Sequence, residues 1–392
     1  MNLRQQFIQH LAQTGDSPLM LEIVRAEGCY IFDKNGKAYL DIIAGVSVSA
    51  LGHCHPAVVR ATKNQLGKYL HASVYGEYIL SPQVQLATLI ADNLPQPLAS
   101  VYFVNSGSEA TEGAMRLAKR FTGRPEIAAC RNAYHGSTQG AASLMSPNIY
   151  SQASYPLLPG IRHIDFNKEN DLGKITRRTA AVVLETVQGG AGVIKPENGY
   201  LKKLRQRCDE TGALLILDEI QTGYGRTGTL WAFEQYGIVP DILLLAKGMG
   251  GGMPIGAFVS SKEIMSSLTS DPPLGYLTTF GGHPVCCAAA LATLQVLLKE
   301  NFIEKVKEKE ALFHQLLKHP AIKEVRTAGL MVAVELENSG VLKKVQKRCL
   351  EAGLVTYPFL FNDKSLRMSP PLIISKEEIR KACSIINESL RV

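Results

Sequence analysis

Short apolar runs alternate with longer segments of helical period up to about residue 300. This alternation is typical of parallel strands joined by helices, because a parallel pair needs a crossover connection that is usually helical. The predicted strands are residues 100–105, 180–185, 213–218 and 241–246. The predicted helices are residues 108–121, 199–210 and 284–298. The sequence therefore predicts an α/β fold with a mostly parallel central sheet.

The character of the sequence changes after about Asn301, where a charged helix, a strand-like run and two amphipathic helices follow one another. This order predicts a smaller α+β domain. Short strand patterns at residues 18–51, with a turn at residues 33–36, indicate that the start of the chain packs with that domain, so that both termini form it. We predict an N-terminal segment at residues 1–54, a large domain at residues 55–300 and a small domain at residues 301–392.

Composition argues against several classes of function. The formal net charge is +7, but basic residues alternate with acids, as in residues 300–310, which is typical of a solvated helix face and not of a nucleic-acid surface. The longest nearly apolar stretch, residues 284–298, is shorter than the ~20 residues of a bilayer span. No second cluster completes a metal shell around His53-Cys54-His55, so we expect no metal. Sparse cysteines and the absence of a secretory signal pattern predict a cytoplasmic protein without membrane contact.

Lys247 ends the apolar run 241–246, directly before a glycine-rich turn. A lysine beside a buried strand either pairs with an acid or loses its proton and becomes a nucleophile. The alternative is a lysine that simply leaves the core at a strand end. Asp218 follows another predicted strand, so both side chains are expected at the carboxyl ends of parallel strands, where ligands bind. The alternative for Asp218 is a cap on the following turn.

Asn105-Ser-Gly-Ser108 follows a third predicted strand and opens a helix. Free backbone N–H groups and the positive end of the helix dipole make such a start a natural phosphate site. The alternative is an ordinary capping box between Ser106 and Glu109. Both can be true, because a cap and an anion site use neighbouring donors.

The cofactor that fits these residues is pyridoxal 5′-phosphate. Gly223-Tyr-Gly-Arg-Thr-Gly228 matches the glycine pattern of a dinucleotide site, but Asp218 to Gln221 separate it from the strand, whereas dinucleotide-site glycines follow the strand at once. Pyridoxal phosphate needs a lysine for a Schiff base, an acid for the pyridine nitrogen and a helix start for the phosphate. Lys247, Asp218 and the start of the helix meet these needs together.

Several short segments in a fixed order carry a family resemblance. They are Gly52-His-Cys-His-Pro56, Asn105-Ser-Gly-Ser-Glu-Ala110, Tyr134-His-Gly136, Asp218-Glu-Ile-Gln221, Gly225-Arg-Thr-Gly228, Ala246-Lys-Gly248, Thr279-Phe-Gly-Gly282 and Arg367-Met-Ser-Pro-Pro-Leu372. Along nearly its whole length the chain resembles class III aminotransferases of the fold type I pyridoxal-phosphate enzymes, which act on acetylornithine, ornithine or 4-aminobutyrate. The resemblance implies that the large domain binds the cofactor.

The resemblance also implies roles for the matching residues. Gly107 and Ser108 would bind the phosphate, Tyr134 would stack on the ring, Asp218 would pair with the pyridine nitrogen, Gln221 would lie near the ring hydroxyl, and Lys247 would hold the aldehyde carbon. Thr279 would reach the phosphate from a neighbouring subunit, which implies a homodimer with its active site at the interface.

Substrate binding is implied for Arg367, Glu185 and Thr278. Arg367 would bind the α-carboxylate of an amino or oxo acid, for which its planar fork is suited. Glu185 would neutralise this arginine when the substrate presents an ω-amine with no α-carboxylate nearby. Members of the family that act on acetylornithine or 4-aminobutyrate often have arginine directly after the His-Gly pair, where this chain has Ser137. The core of the site is therefore expected to be intact, with an altered distal pocket.

The resulting hypothesis is an aminotransferase in which Lys247 moves a proton and Asp218 maintains the ring as an electron sink. The donor would be an ω-amino or basic amino acid, and the acceptor an oxo acid such as 2-oxoglutarate. The first alternative is an aminomutase or racemase that uses the same cofactor on the same scaffold. The second alternative is a binding protein without catalysis.

Overall fold

The structure, a computed structural model, describes residues 1–73 and 76–391. Its strands are β1 (Ile23–Glu27), β2 (Tyr30–Asp33), β3 (Ala38–Asp41), β4 (Ser100–Val104), β5 (Glu126–Cys130), β6 (Ile161–Ile164), β7 (Thr179–Glu185), β8 (Leu214–Asp218), β9 (Ile242–Leu245), β10 (Gly256–Ser260), β11 (Glu324–Ala328), β12 (Met331–Glu335), β13 (Leu354–Val355), β14 (Tyr357–Pro358) and β15 (Ser365–Met368). Its α-helices are α1 (Leu3–His10), α2 (Ala44–Ser47), α3 (Pro56–Leu66), α4 (Ser81–Asp92), α5 (Gly107–Thr122), α6 (Gln139–Leu144), α7 (Tyr200–Thr211), α8 (Lys262–Ser266), α9 (Pro284–Lys299), α10 (Val306–Leu316), α11 (Ser339–Glu351) and α12 (Lys376–Ser389). Short 3₁₀ turns cover Gln152–Ser154, Glu169–Lys174, Ala232–Tyr236 and Lys247–Gly250.

The central sheet has seven strands in the order β4-β10-β9-β8-β7-β5-β6. The last five are parallel, and β10 is antiparallel to both of its neighbours, so β4 runs in the same direction as β9. The predicted α/β fold with a mostly parallel sheet is therefore confirmed. Each predicted strand and helix of this part is present, with bounds that differ by no more than one residue at either end.

Helices cover both faces of this sheet. Val182 and Leu184 of β7 belong to the apolar cluster that includes residues of α7 and α9, whereas Ala181 and Val183 belong to the cluster that includes residues of α5. Successive side chains of a strand point to opposite faces, so a strand buried on both faces is apolar throughout. This packing leaves the carboxyl ends of the strands as the edge where polar residues are found.

Two smaller sheets lie outside the central one. The order β1-β2-β3-β13 joins the start of the chain to its last hundred residues, because β13 pairs with β3 in parallel. The order β11-β12-β15-β14 is antiparallel. The α+β part built from both termini is thus present, while the boundaries drawn after residues 54 and 300 stay predictions. Over the part of the chain that the structure describes, no helix combines the length and apolar character needed to cross a membrane.

Candidate active site

A cavity of about 1300 Å³ lies where four strands of the central sheet end. Its lining includes Asn105 after β4, Glu185 at the end of β7, Asp218 at the end of β8 and Lys247 after β9. These strands run in the same direction, so their carboxyl ends face one crevice. The structure thereby brings together residues that are far apart in the sequence.

Lys247 lines the cavity from an unusual backbone conformation. Its φ is +45°, in the left-handed region that a residue with a side chain seldom adopts. Burial lowers the pKa of the Lys247 amine to about 8, and the positive charge of Arg367 adds to this effect against the opposing charges of Asp218 and Glu185. A conformation of this kind costs about 1–3 kcal/mol and is typically found at functional sites. With a pKa of about 8, the Lys247 amine is neutral in a fraction of the molecules at neutral pH.

Asp218 is buried against His135, a residue without a role in the sequence analysis. The Nδ1 atom of His135 lies 2.7 Å from Oδ2 of Asp218, and both side chains are buried. Burial disfavours the charged imidazole, but the hydrogen bond and charge of Asp218, together with Glu185, outweigh it and raise the pKa of His135. Asp218 also accepts a hydrogen bond from the Ile220 N–H, so the turn-cap alternative is true as well.

The start of α5 is open on the side of the cavity. Ser106 caps the helix by accepting the Glu109 N–H at 3.2 Å. The predicted capping box is only half formed, because the Glu109 carboxylate accepts from the N–H of Asn105 and not from that of Ser106. The first N–H groups of a helix have no partner within it, so they are free to bind an anion.

Hydroxyl groups extend this cradle. Ser108 Oγ and Thr138 Oγ1 lie 2.9 Å apart, and both residues line the cavity. Gly136 has a φ of +133°, and a Cβ atom added there would come within 2.2 Å of Ser108 Oγ. Only glycine leaves room for the Ser108 hydroxyl. The helix start and these hydroxyls suit a phosphate group, which is the fit that pyridoxal phosphate requires.

Arg367 is held by a neutral partner. Its Nη2 donates to Oε1 of Gln221 at 3.2 Å, and its guanidinium carbon lies 5.3 Å from the centre of the Phe359 ring. Its Nε is buried and has no hydrogen-bond partner among the described residues. Burial lowers the pKa of Arg367, and Glu185 opposes that shift. The guanidinium lines the cavity, which makes Arg367 a candidate partner for a carboxylate.

Glu185 receives its hydrogen bonds from backbone groups. They come from the Gly189 N–H at 3.0 Å and the Tyr134 N–H at 3.4 Å. Burial raises the pKa of Glu185 to about 7, and the nearby Asp218 also raises it. A carboxyl group that titrates near neutrality can change its charge opposite Arg367.

The outer wall of the cavity includes the exposed residues Tyr134 and Ser137. Tyr134 Oη and Ser137 Oγ lie 2.9 Å apart, and Tyr134 is about one-third exposed. Of the described lining residues, Lys247 and Arg367 are the only lysine and arginine. A second carboxylate on a substrate would therefore find no basic partner there within this chain.

Thr278 and Thr279 belong to a segment beside the cavity. Thr278 Oγ1 accepts a hydrogen bond from Asn105 Nδ2 at 3.0 Å, and Thr279 is exposed. Neither is among the described lining residues. Gly107, Ser108, Tyr134, Glu185, Asp218, Gln221, Lys247 and Arg367 all line the cavity. His135 is the residue that sequence reasoning missed, and its place inside the Tyr134-His-Gly136 segment was the available signal.

Comparison with known proteins gives matches along the whole chain. The aminotransferase class-III family matches residues 11–390. Acetylornithine aminotransferase from Methanopyrus kandleri is 39% identical over 372 residues, which cover 94% of each chain. The enzyme of the same name from Caldanaerobacter subterraneus subsp. tengcongensis is 40% identical over 385 residues, which cover 95% of each chain.

A solved structure of ornithine aminotransferase from Toxoplasma gondii, described as having partial occupancy of PLP at its active site, has a TM-score of 0.91. It is 31% identical, and the match covers 98% of this chain and 92% of that one. The similarity therefore extends over both the central sheet and the smaller sheets.

Proposed function

The chain belongs to the class-III aminotransferases, and from this we propose that it uses pyridoxal 5′-phosphate to transfer the terminal amine of an ornithine-type donor to an oxo acid. The convergence of Lys247, Asp218 and the start of α5 on one cavity is the observation that carries the cofactor proposal. Relatives named acetylornithine aminotransferase and the similar structure of an ornithine aminotransferase support the donor class.

The lining residues match the parts of the cofactor. Pyridoxal phosphate, when bound, supplies an aldehyde that bonds to amines and a ring that accepts the electron pair left when a proton leaves the substrate. We assign the phosphate to Gly107 and Ser108, the ring face to Tyr134, the pyridine nitrogen to Asp218, the ring hydroxyl to Gln221 and the aldehyde carbon to Lys247. The buried His135 holds Asp218 in place through its Nδ1.

Lys247 is the proton carrier in this proposal. With a pKa of about 8, its Nζ is neutral in a useful fraction of molecules at neutral pH and can take a proton from the substrate carbon. The same amine, once protonated, can return that proton to a neighbouring atom. A pKa near the working pH suits both directions of transfer.

Arg367 and Glu185 are proposed to allow the site to bind two kinds of substrate, an oxo acid and an ω-amine donor. Arg367 lines the cavity, and a hydrogen bond between its guanidinium and a charged carboxylate is strong. We propose that Arg367 binds the α-carboxylate of the oxo acid, with 2-oxoglutarate as the first acceptor to test. When an ω-amine donor occupies the site, an ionised Glu185 balances the charge of Arg367. Thr278 is proposed to contribute through the Asn105 side chain that it contacts.

We propose that the enzyme is a homodimer in which Thr279 reaches the phosphate site of the partner. An exposed apolar surface around this residue supports the proposal, since Leu277 is 52% and Phe280 55% exposed. Leu274 and Ile79 are also exposed.

We further propose a cytoplasmic location, which the eight free cysteines support because reducing compartments keep thiols unpaired.

The test is a half-reaction screen with the purified, cofactor-loaded enzyme. Ornithine, acetylornithine, 4-aminobutyrate, lysine and β-alanine are added singly, and loss of the absorbance of the lysine-bound cofactor is followed. We expect ornithine-type donors to convert the cofactor, 2-oxoglutarate to restore it, and Lys247→Ala to abolish both changes.

Two results would contradict the proposal. Failure of every donor to change the absorbance would leave a binding protein as the better account. Product formation in the absence of any amino acceptor would favour the aminomutase or racemase alternative.

A further inference from the structure

Arg226 is a buried arginine that the cofactor site does not use. It stands in the glycine-rich segment Gly223–Gly228 and is 2% exposed. It does not line the cavity described above. Among the described residues its guanidinium has no carboxylate within ion-pair distance, and burial of an unpaired guanidinium is costly unless hydrogen bonds compensate it.

The partners of Arg226 are two backbone carbonyl groups from distant parts of the chain. Its Nη1 donates to the carbonyl oxygen of Leu330 at 3.3 Å and also to that of Pro370. Its own carbonyl oxygen accepts the Leu330 N–H at 2.9 Å. Arg226 therefore bonds to both the carbonyl group and the N–H group of Leu330.

These two carbonyl groups lie at the same end of the pair of strands that carries Arg367. Leu330 directly precedes β12, and Pro370 follows the end of β15. In the antiparallel register of these strands, Ala333 lies opposite Arg367. One guanidinium thus ties the start of β12 to the end of β15, at the end of the strand pair that is nearer to Arg367.

The loop that holds Arg226 also fixes the cofactor end of the site. Asp218 begins this loop, and Gln221 within it accepts the hydrogen bond from Arg367. Close backbone contact fits the same role, because a Cβ atom added to Gly329 would come within 2.5 Å of the Arg226 carbonyl oxygen. The distance between Lys247 and Arg367 therefore depends on how firmly this loop holds the two strands.

We propose that Arg226 is a positioning residue that fixes Arg367 relative to Lys247 and so sets the affinity of the site for the substrate carboxylate. This inference rests on the carboxylate-binding role proposed for Arg367. Arginine suits the task because a rigid, planar guanidinium directs its N–H groups at fixed angles, whereas the lysine ammonium is a flexible point charge.

The test measures binding of glutarate, a dicarboxylate that cannot be transaminated, to the cofactor-loaded enzyme by calorimetry. We expect Arg226→Met to raise the Kd for glutarate about tenfold, as loss of one well-placed interaction would. Arg226→Lys should give a smaller rise, about threefold, and it carries the test if the methionine variant does not fold. Steady-state assays should show a higher KM for the oxo acid with kcat changed less than about twofold.

Arg124→Met is the matched control. Arg124 Nη1 also donates to two carbonyl groups, those of Thr179 and Thr211, but Thr179 begins β7, whereas the cavity lies at the other end of that strand. The Kd of the Arg124→Met variant for glutarate should equal that of the unmodified enzyme. An equal rise in the Arg124 and Arg226 variants would mean general loosening and would overturn the proposal, as would an unchanged Kd in both Arg226 variants.

The variant Arg367→Met distinguishes the role proposed for Arg367 from the role proposed for Arg226. If Arg367→Met binds glutarate as tightly as the unmodified enzyme, the role proposed for Arg367 is wrong. If Arg367→Met weakens binding and the Arg226 variants do not, only the positioning role of Arg226 fails.

Discussion

At the scale of single residues, the site depends on side chains whose surroundings change their ordinary chemistry. Burial and the charge of Arg367 lower the pKa of Lys247 towards neutrality. Burial raises the pKa of Glu185 towards neutrality. Perturbed groups of this kind that share one cavity are typical of catalytic sites. Lys247, Glu185 and Arg367 also influence one another, so each should respond when another is replaced.

The pKa of Lys247 predicts how the apo protein takes up its cofactor. Only the neutral amine attacks an aldehyde, so the rate of covalent loading with pyridoxal phosphate should rise with pH and level off above about 8. Removal of the cationic neighbour in Arg367→Met should move the midpoint to higher pH, because that charge lowers the pKa. Stopped-flow absorbance from pH 6 to 10 measures both profiles. An unshifted midpoint in the variant would show that the two side chains are not coupled.

Ser137 predicts a change of donor preference. Ser137→Arg should place a cation in a cavity where Lys247 and Arg367 are the only lysine and arginine among the described lining residues. We expect kcat/KM for donors with a distal carboxylate to rise about tenfold to a hundredfold, the effect of a charged hydrogen bond worth about 1.5–3 kcal/mol. Ser137→Ala is the control, because it removes the hydroxyl bonded to Tyr134 without adding charge. Equal gains for putrescine, which has no carboxylate, would argue against this account.

At the scale of secondary-structure elements, the site is made where strands end and helices begin. The strands β4, β7, β8 and β9 each contribute a residue at or just beyond their carboxyl ends, and α5 contributes its free N–H groups. The glycines of this region allow close approach of the backbone, as Gly136 does beside Ser108. Rigid elements hold these groups at fixed distances, which catalysis requires.

The two serine caps at the starts of α5 and α12 give a matched pair for a test. Ser106 and Ser375 each accept a hydrogen bond from the backbone N–H three residues later, Glu109 and Glu378 respectively. Substitution of either serine by alanine should lower the free energy of unfolding of the apo protein by about 1 kcal/mol. Only Ser106→Ala should also weaken cofactor binding, by about two- to fivefold. An intact helix start stabilises a bound anion by about 0.3–1 kcal/mol, and loss of the cap would loosen that start.

Urea unfolding and cofactor titration measure the two effects. Equal cofactor affinity in the Ser106 and Ser375 variants would show that the start of α5 does not hold the phosphate.

At the scale of the whole molecule, the substrate site combines the central sheet with the sheet that carries Arg367. Lys247 follows β9 in the first, and Arg367 lies on β15 in the second. Residues of the first fifty positions hold the segment after Arg367, because Ser369 donates to the carbonyl groups of Ile42 and Ile43. Under the proposed function, binding and chemistry are thus supplied by different parts of one fold.

The proposed dimer predicts the effect of charge on its surface. Leu277→Asp combined with Phe280→Asp should convert a dimer into monomers, because burial of two carboxylates in an apolar interface is costly. Activity should fall with dissociation, since Thr279 would no longer reach the partner. Sedimentation velocity at micromolar concentration measures the assembly. Leu298→Asp, at a 42% exposed position on α9, is the control and should leave both properties unchanged. A monomeric unmodified enzyme would contradict the dimer itself.

The local features of this protein can be predicted from its sequence alone. Periodicity located the strands and helices around the site, and the chemistry of Lys247, Asp218 and the start of α5 indicated one cofactor. These features depend on neighbouring residues, so a linear pattern contains them. The local detail of the cap was wrong, because the reach of the Glu109 carboxylate to Asn105 depends on how the chain enters the helix.

Which of these features lie in contact depends on how the whole chain packs. The strands of the central sheet do not follow one another in chain order, and His135 meets Asp218 across 83 positions. Gln221 meets Arg367 across 146 positions, and Arg226 reaches Pro370 across 144. Such contacts depend on the order of strands and the packing of whole sheets, which no single segment contains. The partners of Asp218 and Arg367 therefore emerge only when the chain is folded.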